Sequence, residues 1–105
     1  MAREYIVTTP AKADALGFPV TYPRSNSPSG AQAVVSSWPD AFTASERAAI
    51  LAAGITIGDA ATARRAKGQW AVDHFKANPT ANPVQKRQGE TDAAHETRMK
   101  AAFGA

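Results

Sequence analysis

The sequence predicts a mainly α-helical chain. The expected form is a small helical domain built on a central helical hairpin. An extended, proline-rich N-terminal arm with room for one short strand precedes it, and a linker-tethered C-terminal helix follows. Three observations predict this. Alanine, the strongest helix former, occupies 24 of the 105 positions. Between Trp38 and Pro79, two stretches carry helix signals at both their starts and their stops. From Thr91 onward the pattern returns, after a linker that holds two Asn-Pro steps. The chain divides into an arm (1–30), a helical core with the hairpin (31–79), and a linker with a docking helix (80–105). Its length suits one domain overall.

Taken in order, Glu4 to Thr8 (EYIVT) is rich in β-formers and reads as a short strand. A lone strand is unstable, so it needs a partner strand from this chain or another. Thr9-Pro10 starts a short helix with proline at the first helical position, and Gly17 stops it. Phe18 to Gly30 holds three prolines and reads as an extended arm that loosens into a loop. It serves as a connector or, through Tyr22, as a segment docking on another subunit. In Ala31 to Trp38, Ala31, Val34, Val35 and Trp38 match the i, i+3, i+4, i+7 spacing of a helix face. Val34-Val35 also suits a strand. The segment is read as a short helix ending before Pro39.

The first hairpin helix opens at Thr43-Ala44-Ser45-Glu46, a capping box in which hydroxyl and carboxylate each satisfy an orphan amide. It closes at Gly54, with Ile50 and Ile55 placed for the hydrophobic contact of a Schellman ending. The second is expected from about Ile57 to Ala77, with Thr56-Ile57-Gly58-Asp59 repeating the capping logic and Pro79 stopping it. Gly68 inside it costs about 1 kcal/mol relative to alanine, which points to a neighbour in close approach. In the final helix, Thr91 to Phe103, Glu96 and Lys100 form an i, i+4 pair. His95, Met99 and Phe103 make a narrow stripe that must dock somewhere. With Trp38, Trp70 and Phe75 already serving the core, a neighbouring subunit is the expected dock.

Composition excludes several chemistries. No cysteine is present, so no disulfide framework and no thiolate nucleophile or metal ligand is available. His95-Glu96 begins like a zinc-protease motif, but Met99 stands where a second histidine is required. Asp73 and His74 are adjacent on a helix and diverge. No phosphate-binding or dinucleotide glycine motif occurs, and Ser25, Ser27 and Ser29 lack an evident base. The expectation is a protein that is not an enzyme, with no cofactor and no metal. The longest apolar run, Ala48 to Ile57, is too short to span a membrane, and the start lacks a signal-peptide pattern.

What remains is a structural or interaction protein, a subunit of a larger assembly and a homo-oligomer or part of one. The expected setting is inside the cell or in a virion, such as a capsid-associated or head–tail component of a bacteriophage. Its expected partner-binding residues are Tyr22, His95, Met99 and Phe103. The net charge of +3 is mildly basic. The run Arg64, Arg65, Lys67, Trp70, His74, Lys76 interleaves cations with rings. Its preferred reading is a solvated face anchored by Trp70, since Asp59 and Asp73 interrupt the field. The alternative is a nucleic-acid contact through Arg64, Arg65, Lys67 and Lys76. A third reading is a small inhibitor that caps a host enzyme.

Overall fold

In the computed structural model, which describes residues 2–105, the β-forming run near the start finds its partners within the chain. β1 (Tyr5–Thr8) is followed by α1 (Pro10–Leu16), β2 (Arg24–Asn26), β3 (Ala33–Ser36), α2 (Ala44–Ala52), β4 (Ile57–Gly58), α3 (Ala60–Ala77) and α4 (Asp92–Phe103). The strands form one antiparallel sheet in the order β2-β3-β1-β4, with Ile6 opposite Val35 and Ile57. The fold is therefore mixed α/β, not mainly α. Among the described residues, four α-helices accompany a four-stranded sheet.

Three expectations are corrected together. Ala33–Ser36 is a strand, not a helix, and every residue of it is buried. Its helix-like spacing is short enough to be overridden by pairing with β1 on one side and β2 on the other. The N-terminal arm is not an arm, because β2 and the aromatic residues before it belong to the sheet and its core. The central hairpin is interrupted, because Ile57–Gly58 pairs with Tyr5–Ile6 as an edge strand. Helix α3 begins three residues later than expected. Its N-terminal side chain is Asp59, whose Oδ1 accepts from the Thr62 amide at 3.0 Å.

The chain forms two compact units, divided between Ala63 and Arg64 within α3. In the first, Ile6 and Val35 on one sheet face pack with Ala13, Phe42, Ile50 and Ile55. Helix α1 is capped by Thr9 and ends at Gly17 in the left-handed conformation, as expected. Helix α2 has both arms of its capping box. Its Schellman ending is complete: the Gly54 amide donates to Leu51 (3.0 Å) and the Ile55 amide to Ile50 (3.1 Å). Gly54 takes φ 76°, and both isoleucines are buried.

In the second unit, α3 from Arg64 onward pairs antiparallel with α4. Phe75 stacks on Phe103 with centroids 5.3 Å apart, and Lys76 reaches Glu96 at 3.2 Å. A Cβ at Gly68 would lie 2.5 Å from the Phe103 carbonyl oxygen, so glycine there permits the close approach that its cost implied. Thr91 caps α4 and Gly104 ends it. Glu96 pairs with Lys76 and not with Lys100, because the neighbouring helix offers a partner across the interface.

Candidate functional site

The α4 stripe expected to reach a neighbour is engaged inside its own unit. Met99 is buried, and the Asn82 amide lies 3.0 Å from its sulfur. His95 Nε2 lies 2.6 Å from the Val84 carbonyl oxygen. A carbonyl only accepts, so Nε2 carries the proton. Phe103 lies on Phe75. Tyr22 belongs to the other unit, where it packs with Phe18 and Phe42 at centroid distances of 5.7 and 6.0 Å. Its hydroxyl donates to Glu46 Oε1 at 2.9 Å, and that carboxylate raises the phenol above its ordinary pKa. The structure thus brings His95, Met99 and Phe103 together within the second unit, while Tyr22 belongs to the first. All four make internal contacts.

Beside that stripe lies a cavity of about 630 Å³ in the second unit. Phe75, Val84 and Met99 supply its apolar lining, while His95 and the pairs Lys76–Glu96 and Lys86–Asp92 supply its polar one. Each lysine is neutralised by its carboxylate, and Lys86 holds Asp92 below its usual carboxylate pKa.

The strongest electrostatic feature is next to the cavity. Arg98 grips Glu90 through Nε at 2.6 Å and Nη2 at 2.8 Å, and the Arg87 amide donates to the same carboxylate at 3.0 Å. The Glu90 side chain keeps 10% of its exposure. Hydrogen bonds from Arg98 first, and the Arg87 amide second, lower its pKa from 4.5 to about 2. A carboxylate with a lowered folded pKa stabilises the fold above its unfolded pKa. That contribution is lost as pH falls through the folded value. Stability of this unit should therefore decline between pH 4.5 and about 2. Urea melts across that range check it, and Glu90→Gln should flatten the decline. Parallel acid limbs for wild type and variant would refute the assignment.

Of the expected cation set, Arg64, Arg65 and Lys67 are exposed, while Lys76 is held by Glu96. Trp70 is buried and offers no ring to a base.

Sequence reasoning missed Trp38, which was assigned to the core yet is 51% exposed. The sheet explains its position. Continuing the Tyr5↔Ser36 register sets Arg3 opposite Trp38 on the face that carries Tyr5. The Arg3 guanidinium lies 4.8 Å from the Trp38 ring centroid and 5.5 Å from that of Tyr5. Arg3 is itself fixed by bonds to Ser36 Oγ (2.7 and 3.0 Å) and to the Ser37 carbonyl (3.3 Å). The signal lay in the Trp38-Pro39-Asp40 ending, but only a known register pairs it with Arg3.

No residue group suited to holding a metal ion occurs among the described residues, and no helix there is long and apolar enough to cross a membrane. No protein-family model, curated protein or solved structure matches the chain.

Proposed function

We propose that this chain is a non-catalytic structural or interaction protein that works as a subunit of a larger assembly. Trp38 is the observation that carries the reading. A half-exposed tryptophan, clamped by a guanidinium that three hydrogen bonds hold in turn, is an aromatic anchor already set in position. Interface energy concentrates in such rings, and a pre-set side chain loses little entropy on docking. The partner we favour is a second copy of the chain within a symmetric assembly, inside the cell or in a bacteriophage virion. That setting is supported only by the class of chain, which is small, free of cysteine and without a catalytic motif.

Native mass spectrometry over a concentration series tests this. Wild type should populate oligomers. Trp38→Ala should dissociate them at least about tenfold more readily, since an anchor of this kind is worth about 2 kcal/mol or more. Its thermal melt as a monomer should stay close to that of wild type. A wild type that remains monomeric throughout the series would rule out self-association.

A further inference from the structure

Charge is distributed unequally between the two units. Residues 1–63 hold four Lys/Arg and five Asp/Glu, while residues 64–105 hold eight and four. The net +3 of the chain is therefore −1 on the first unit and +4 on the second. Within the second unit, three acids are consumed by Lys76, Lys86 and Arg98. The fourth, Asp73, accepts from the Gln69 amide at 3.0 Å. Among the described residues, no ion pair or side-chain hydrogen bond engages Arg64, Arg65, Lys67 or Lys100.

These four cations sit at one end of the α3–α4 pair. Gly68 of α3 lies against Phe103 and Gly104, so the start of α3 adjoins the end of α4. At about 100° per residue, Arg64 lies within about 40° of Gly68, and Arg65 within about 20° of Lys76. On α4, Lys100 lies within about 40° of Glu96, the partner of Lys76. Arg65 and Lys100 thus share the flank that carries Lys76 and Glu96, while Arg64 lies about 100° round α3 from Arg65, on the other side of Gly68, and Lys67 about 60° beyond Arg64. Asp73 lies opposite Arg64 but within about 80° of Arg65, two turns further along α3. The pairing of Glu96 with Lys76 is what leaves Lys100 free. Stability does not explain the cluster. Arg64 and Lys67 are like charges at i, i+3, which is mildly destabilising.

We infer that this basic end, Arg64, Arg65, Lys67 and Lys100, is a contact surface for the phosphodiester backbone of duplex nucleic acid. Guanidinium groups match phosphate geometry, and a duplex presents phosphates densely and regularly. A single strand would need exposed rings for stacking, but Trp70 is buried and Phe75 and Phe103 cover each other. An anionic membrane would need an apolar anchor beside the charges. Among the described residues, none of the exposed large apolar side chains, Val20, Trp38 and Leu51, lies on α3 or α4. This surface and Trp38 involve different residues, so either reading can fail alone.

The test is fluorescence anisotropy of the full chain with a labelled 20-base-pair DNA duplex, from about 50 to 200 mM salt. Four phosphate contacts predict a slope of log affinity against log salt of about −3.6. Arg64→Gln combined with Arg65→Gln should make the slope shallower by roughly 2, and Lys100→Gln by roughly 1. Arg87 is an unpaired cation in the α3–α4 connection, at the other end of the pair. Arg87→Gln removes the same charge and should leave the slope unchanged. An equal effect of Arg87→Gln would overturn the inference. So would an absence of duplex binding at the lowest salt, or equal affinity for a single strand, anionic vesicles or polyglutamate. Thermal melts confirm that each variant is folded.

Discussion

Ile50→Ala should cost about 2–5 kcal/mol, the range for truncating a large aliphatic in a packed core. Ile50 is fully buried, lies in the cluster with Ile6, Val35 and Phe42, and accepts the Ile55 amide that closes α2. The loss is large against what the unit has. A folded unit of its size is stable by roughly 0.05–0.15 kcal/mol per residue, so truncation at Ile50 can consume most of that margin. Leu51 is the matched control, one residue on and 59% exposed. Leu51→Ala should stay within about 0.5 kcal/mol of wild type. Urea unfolding followed by circular dichroism compares the two. Equal losses at both positions would mean α2 does not present Ile50 to the sheet.

Gly68→Ala should destabilise the α3–α4 pair, reversing the usual sign. In an exposed helix interior this change gains about 1 kcal/mol. Here the added Cβ would stand 2.5 Å from the Phe103 oxygen, 2.7 Å from the Ala105 nitrogen and 2.8 Å from the Gly104 carbonyl carbon. All three are backbone atoms, so relief requires moving the end of α4, not turning a side chain. Overpacking of this kind costs about 1–3 kcal/mol. In a domain below 100 residues, each kcal/mol is worth about 4–8 °C of melting temperature. A drop in the α-helical melt, and a weaker Phe75–Phe103 contact by NMR, are expected. A rise in melting temperature would place α4 away from Gly68.

The reading of site residues divides along a physical line. The stripe His95, Met99, Phe103 was legible as a face that must be buried, because a helix of that length is marginal alone. Its dock was not legible. Asn82, Val84 and Phe75 receive it within the same unit. The free cations of α3 were visible as a run. Subtracting Lys76 and adding Lys100 required the Lys76–Glu96 contact.

By itself the sequence determined the elements whose signals are local. Thr9-Pro10 starts α1, the Thr43 box caps α2, and Gly17 and Gly54 stop them, because caps depend on side chains within three residues and stops on one left-handed φ. Tyr5–Thr8 was a strand on composition. Only the tertiary structure decided the rest. Ala33–Ser36 fits a helix face as well as a strand, and β1 and β2 on either side make it a strand. Ile57–Gly58 looked like a helix start until β1 offered it an edge. Trp38 is apolar enough for a core, yet the register carries it past the end of β3, opposite Arg3. Pairing partners distant in sequence contribute energies that no local window contains. They turn a chain whose local signals favour helix into a mixed α/β fold.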